Sequence, residues 1–418
     1  MRSKLTTLAS LSLAMTPLVS QAEAEEITIW AWDPNFNIAI MEEAKARYLQ
    51  QNPDVTFNII VYSKDDVEQK LLTNLASGVT RSLPDIVLIE DYKAQNYLQS
   101  FPGSFERLDD DIDMSDFAPY KVSLATVDGA SYSVPFDTGV TGMFYRSDVL
   151  AEAGFGAQDL EDITWDEFIE IGKVVKEKTG MDIISVNTAE SGFMRMLMHS
   201  ANTWFFNEAG ELNLRDNAGL EATLNLYRDL HASGVARSST GWSEWVSGVS
   251  QGDVATAITG VWFMGTIKSL DQPGQWAVAP TPRLSGVDGA ANASNWGGSS
   301  WYVMSSSDTK EEAIDFLRST FASDVDFYQK ILVERGAVGS YLPSQAGTAY
   351  VEGDAYFGGQ PVFEDFAAWS AMIPAIDFGT YTYEVSDALV AQVPGLLRGM
   401  SVDEAITNAE AQVAGQIQ

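Results

Sequence analysis

The segment ITIWAWDPNFN, residues 27 to 37, sets Trp30 and Trp32 against Asp33, Asn35 and Asn37 at the end of a β-branched stretch. A ring offers its face to C–H groups, and a carboxylate or amide offers acceptors to hydroxyls, so this mixture suits a ligand that is half apolar and half hydroxyl. It recurs in TWFFN (203 to 207), GVWFMG (260 to 265), NWGGSSW (295 to 301) and FGTYTYE (378 to 384). Glycine beside an aromatic lets backbone come close to a ligand. Of the eleven tryptophans, some must serve the core. Trp30, which a strand should turn inward, is expected to be one. The set as a whole points to stacking platforms in a cleft.

Other chemistries find less support. GVSQG at 248 to 252 matches the nucleophile-elbow pattern, but that hydrolase needs an acid and then a histidine after the serine, and His199 and His231 both precede Ser250. Neither histidine has the neighbours of a metal site. Asp109, Asp111 and Asp113 match the first ligand positions of a calcium loop, yet Met114 and Tyr120 replace its glycine and its final glutamate, so a solvated loop is expected. A glycoside hydrolase is the alternative kept open, because it needs only two carboxylates roughly 5 to 10 Å apart. Nothing in the sequence implies a carboxyl of raised pKa, and no catalytic residue, cofactor or metal is assigned.

At 418 residues the chain is long enough for two domains. Its 58 Asp and Glu against 25 Lys and Arg give a net charge of −33, which repels phosphate backbones and argues against a nucleic-acid partner. Arg2, Lys4, an apolar run from Leu5 to Val19 and Ala22-Glu23-Ala24 read as a signal peptide over 1–24, with the mature chain starting at Glu25. There is no cysteine, which removes disulfides, thiol catalysis and lipid attachment through an N-terminal Cys. A soluble, exported, unanchored periplasmic protein is expected.

Strand and helix signals alternate in a way that predicts an α/β architecture. After the first strand comes a helix carrying Ile38, Met41, Ala44 and Tyr48, then the strand VTFNIIVYS, then a helix closed by Gly78, then PDIVLIEDY running out at Glu90-Asp91. Helix starts are expected at Thr164 with Glu167, Asp308 with Glu311, and Ser401 with Glu404. Ligands of open α/β sheets sit beyond the carboxyl ends of strands, and Trp32, Asp33, Glu90 and Asp91 fall at such ends.

In this order, the opening strand, LPDIVLIEDYKAQNYL, YSVPFDTGVTGMFYRSDVLAEAG before TWDEF, GDVATAITGVWFMG, WGGSSWYVMSSSDTKEEAIDFL and GMSVDEAITNAEAQV resemble the carbohydrate-binding extracellular solute-binding proteins, family 1, of ABC importers. That group includes maltose-binding protein. The resemblance implies a periplasmic-binding-protein-like fold of type II, two α/β lobes with a hinge. The lobes would be 25–135 with 295–343, and 136–294 with 344–418. It further implies a monomer that is not an enzyme, closes on a di- or oligosaccharide and hands it to transmembrane permease subunits.

Binding positions carry over to Trp32, Asp33, Asn35, Glu90, Asp91, Asp137, Trp262, Phe263, Trp296, Gly297 and Gly298, and more loosely to Tyr341, Trp369 and Tyr381. The family pattern has a Lys beside the first-turn Asp where this chain has Pro34, which puts maltose itself in question. The overall tenor is that of lactose, galactoside and α-glucoside receptors. An anionic ligand would need cations in the cleft, for which Arg195 and Arg335 are the candidates.

Overall fold

The structure, a computed structural model, describes residues 26–207, 209–415 and 417. The expected signal peptide and the start at Glu25 lie outside the described residues. The strands are β1 (Glu26–Ala31), β2 (Thr56–Val61), β3 (Ile86–Glu90), β4 (Thr126–Val127), β5 (Ala130–Ser131), β6 (Val134–Arg146), β7 (Asp182–Asn187), β8 (Ala236–Ser239), β9 (Val254–Gly260), β10 (Trp276–Ala279) and β11 (Asn295–Val303). All but the β4–β5 hairpin form one sheet in the order β2-β1-β3-β11-β6-β9-β7-β8, with β10 also on β6.

β1 pairs in parallel with both β2 and β3, through the crossover helices Asn37–Tyr48 and Lys64–Ser77, as the alternating sequence signals predict. A parallel strand covered on both faces must be apolar on both. Accordingly Ile27 and Ile29 enter one core with Ile40 and Phe316, while Trp30 enters another with Val67, Leu71 and Tyr302. Trp30 is 5% exposed and meets Tyr62 edge-on at 5.5 Å, so its inward orientation is as expected.

β6 runs through the centre and changes partners along its length. It pairs antiparallel with β11 from Val134 to Val140, and with β9 from Thr141 onward. Beyond that point β9 and β7 are parallel, as are β7 and β8. A third core lies on this side, built on Phe144, Trp165, Leu197, Tyr227, Trp276 and Phe366.

Two of the three expected helix starts form. Thr164 N donates to Glu167 Oε2 at 2.8 Å and Glu167 N donates back to Thr164 Oγ1 at 3.3 Å, at the head of Trp165–Thr179, whose other end is closed by Gly180 at φ 79°. Ser401 Oγ accepts from Glu404 N at 3.1 Å. Asp308 caps nothing. Ser307 Oγ takes the Thr309 N–H at 3.1 Å and donates to Asp85 Oδ1 at 2.6 Å, and the helix starts only at Lys310.

In the acidic run, Arg107 holds Asp109 with two N–H donors at 2.7 and 2.5 Å, and Asp113 caps the turn Met114–Asp116. No helix among the described residues is long and apolar enough to cross a membrane.

Thr164→Ala should lower stability by about 1 kcal/mol, the usual value of a lost N-cap. The check is the urea midpoint, with ligand affinity unchanged because neither Thr164 nor Glu167 lines the cleft described next. An unmoved midpoint would mean that the reciprocal bonds are solvent-replaceable.

Candidate functional site

The site grows out of strand ends. After β1, Trp32 continues the side of the sheet that Trp30 occupies but lies past the last paired residue, so its ring is only partly covered. Asp33, at φ 55°, folds back on its own turn, with Oδ1 accepting from Asn35 N at 3.0 Å and Phe36 N at 3.2 Å. At the end of β3, strand alternation sends Glu90 and Asp91 to opposite sides. β11 carries an irregularity in its register with β6 between Asn295 and Gly298, where Gly297 and Gly298 have φ of 87° and 84°. Only glycine adopts that backbone without strain. The carbonyl of Trp296 crowds Gly139, where a Cβ would lie 2.5 Å from it.

These ends surround a cavity of about 830 Å³. One wall carries Trp32, Asp33, Asn35, Phe36 and Asn37, the floor Glu90, Asp137 and Trp296 to Ser299, and the far wall Trp262, Thr266 and Ser269. A second chamber of about 820 Å³ adjoins it and shares Lys64, Glu90 and Trp296. Its other walls carry Ser191, Gly192, Arg195, Trp242, Tyr383 and Asp387.

The carboxylates at the floor of this cleft are held by partners. Asp137 Oδ1 accepts from Ser299 N at 2.9 Å and Ser299 Oγ at 2.5 Å. Burial raises the Asp137 carboxyl above its ordinary range, against the pull of Lys121 and Ser299. Glu90 Oε2 accepts from Lys64 Nζ at 2.7 Å and from the Tyr383 hydroxyl at 2.5 Å. Burial works against the charge of Glu90, but Lys64, Arg195 and these hydrogen bonds outweigh it and hold its pKa below the usual value.

Arg195 stacks on Tyr92 at 4.7 Å and Tyr383 at 4.4 Å, donates to Ser191 Oγ at 2.8 Å, and keeps a buried Nε without a partner. Trp262 Nε1 donates to the Trp296 carbonyl at 2.7 Å. Trp242, 40% exposed, lies with its ring centroid 5.6 Å from that of Trp262.

Of the residues expected from sequence, Trp32, Asp33, Asn35, Glu90, Asp137, Trp262, Trp296, Gly297 and Gly298 line the first chamber together. Five expected positions line neither chamber. Asp91 is 1% exposed beneath the floor, with Lys121 Nζ at 2.5 Å from Oδ1, because alternation points it away from the cavity. Phe263 turns into the core against Trp245 at 5.0 Å while its neighbour Trp262 faces out. Tyr341 stacks on Tyr328 at 5.5 Å. Trp369 packs on Phe366 at 5.0 Å and covers Gly142. Tyr381 precedes the helix Thr382–Val390 and packs on the third core, whereas Tyr383, two residues on, reaches Glu90.

Burial lifts the carboxyls of both Asp91 and Asp137, which nothing in the sequence implies. Lys64, Trp242 and Tyr383 are cleft residues that the sequence reading misses. Lys64 follows β2, so the strand-end rule that points to Glu90 would have pointed to it as well. Arg195 lies in the second chamber beside Glu90 and Asp387, and Arg335 lies on the rim of the first. His199 is fully buried, donates to the Pro374 carbonyl at 2.7 Å, and has its pKa pushed down to about 4 by that burial. Among the described residues no group of three or more His, Cys, Asp or Glu could hold a metal ion.

The sequence profile of the bacterial extracellular solute-binding proteins matches residues 43–350. The lactose-binding protein of Rhizobium radiobacter is 52% identical over 411 residues, 98% of this chain and 97% of that protein. Among solved structures, the sugar-binding protein MalE of Xanthomonas citri matches with a TM-score of 0.77 at 20% identity, over 93% of this chain and 96% of that one. The galacto-N-biose-/lacto-N-biose I-binding protein of Bifidobacterium longum matches at 0.76 and 21%, over 94% and 96%. At such identities the structures speak for the fold, and the profile and the half-identical relative speak for descent. This chain therefore belongs to the bacterial extracellular solute-binding proteins, on the α/β fold of the maltose-binding-protein-like receptors, and is a binding protein rather than an enzyme.

Proposed function

We propose that this protein captures lactose or a closely related β-galactoside in the cleft and delivers it to the transmembrane permease subunits of an ABC importer. The observation that carries this reading is the pairing of indole faces with carboxylate acceptors around one cavity: Trp32, Trp262 and Trp296 with Asp137 and Glu90. Sugar C–H faces lie against the rings, and hydroxyls donate to the carboxylates in charge-assisted bonds. The name of the Rhizobium radiobacter relative supplies the sugar class.

In the same reading the chain is two lobes, 25–135 with 295–343 and 136–294 with 344–418. The exchange of partners along β6 at Val140 and Thr141 supports a hinge there. Contacts to sugar made from both lobes exist only when they close, so ligand shifts the population toward the closed form that the permease recognises. Export to the periplasm through the 1–24 signal peptide and action as a free monomer complete the proposal.

A thermal-shift titration tests it. Lactose at 100 times its dissociation constant should add about 2.7 kcal/mol of stability. No response to lactose or to other galactosides would overturn the sugar assignment.

Trp262→Ala should weaken lactose binding by about 2 kcal/mol, or roughly 30-fold, because it removes a ring face and frees the Trp296 carbonyl. Calorimetric affinity near wild type together with a lowered melting temperature would make Trp262 a packing residue instead.

The raised pKa of Asp137 gives the pH dependence its sign. On acidification Asp137 takes up its proton at a higher pH than a solvent-exposed aspartate, whose value is about 3.9. Lactose affinity should therefore begin to fall while still above that value, and Asp137→Asn should be weaker at neutral pH and lack this limb. An unchanged acid limb in Asp137→Asn would assign the titration to another group.

A further inference from the structure

We infer that Gly192 is a positioning residue for Trp296 and thereby a determinant of which ligands the cleft accepts. The inference rests on the cleft being the ligand site proposed above. Trp296 is the aromatic side chain shared by both chambers, so the place of its indole decides how far they communicate. That indole lies against the start of the helix Gly192–Ser200. A Cβ built on Gly192 would sit 2.5, 2.6 and 2.7 Å from Trp296 Cζ2, Cε2 and Nε1. Real carbon contacts are not that short, so any side chain at 192 must displace the ring.

The backbone does not explain this glycine. Gly192 is the first residue of a helix and does not have a positive φ, and glycine is among the poorest helix formers. What requires a bare Cα here is the ring packed on it.

Nor can Trp296 retreat by moving its main chain. Its carbonyl accepts from Trp262 Nε1 at 2.7 Å and crowds Gly139 on the other side. The segment continues into the positive-φ pair Gly297 and Gly298. The indole is a rigid plane, so the remaining freedom is rotation about its side-chain bonds, which swings it off the helix and into the cleft. Gly192 thus keeps the ring drawn back, and the passage past Lys64 and Glu90 from one chamber to the other stays open to a ligand longer than one sugar ring.

The test is a double-mutant cycle on the full-length mature protein with lactose as the probe. Gly192→Ala should lower lactose affinity at least tenfold by calorimetry, without lowering the melting temperature. In a Trp296→Phe background, where the smaller ring leaves room, the same change should alter affinity less than twofold. Near-UV circular dichroism of the sugar-free protein reads the indole directly. Gly192→Ala should change that spectrum in the wild-type background and not in Trp296→Phe. Unchanged lactose affinity and spectrum in Gly192→Ala, or equal effects in both backgrounds, would overturn the inference. Absence of lactose binding by the wild type would sink the sugar reading instead and leave the spectra to decide the role of Gly192.

Discussion

A buried ion pair beneath the cleft floor is the constraint on which the site depends. Lys121, with no exposed surface, places Nζ 2.5 Å from Asp91 Oδ1 and 2.8 Å from the Ser299 carbonyl. Ser299 in turn holds Asp137 Oδ1 through both its N–H and its hydroxyl. One ammonium therefore ties the end of β3 to the irregular part of β11 and, through Ser299, to the first half of β6, the three strands that meet at the floor. Taking such a pair out of water costs several kcal/mol per ion, and removing one partner alone typically costs about 3 to 5 kcal/mol. Asp91 Oδ2 has no hydrogen-bond partner and would lie 2.6 Å from a Cβ at position 298, so the same network demands glycine there.

Charge is arranged differently inside the cleft than over the whole chain. The surplus of acid is large, 58 carboxylates against 25 basic side chains. In the cleft, however, Lys64 faces Glu90 and Arg195 lies near Glu90 and Asp387. Arg335, on the rim of the first chamber, has no ion-pair partner among the described residues, but Lys64 and Arg195 are compensated by carboxylates of the protein, which agrees with an uncharged solute. The buried Nε of Arg195 is the exception within this cluster, a donor without an acceptor.

Much of the fold was legible because its signals are local. The alternation in β1, the crossover helices and the Thr164–Glu167 box are properties of adjacent residues, and they appear as expected. The misreadings share one cause, that sequence names a segment but not the direction of a side chain within it. Glu90 and Asp91, Trp262 and Phe263, and Tyr381 and Tyr383 are near neighbours in aromatic or acidic stretches, and in each case one faces the cleft and the other does not. Period-two alternation at the end of β3 could have separated the first pair. The other two depend on how a short 3-10 turn and a helix start are set on the third core, which is decided by residues far away in the chain. Asp308 failed as a cap for a similar reason, since Asp85, more than two hundred residues earlier, ties down its neighbour Ser307.

The hydrogen bond from Trp262 to the Trp296 carbonyl has a stereochemical consequence. Indole has a single donor and no acceptor, and in Trp262 that donor is already committed at 2.7 Å. What remains is a π surface that makes no directed bond to a hydroxyl, whether axial or equatorial. In a sugar-binding cleft, telling one epimer from another would therefore fall to polar lining groups such as Asp137 and Glu90 on the floor, whose lone pairs point in fixed directions because Ser299, Lys64 and Tyr383 hold them there.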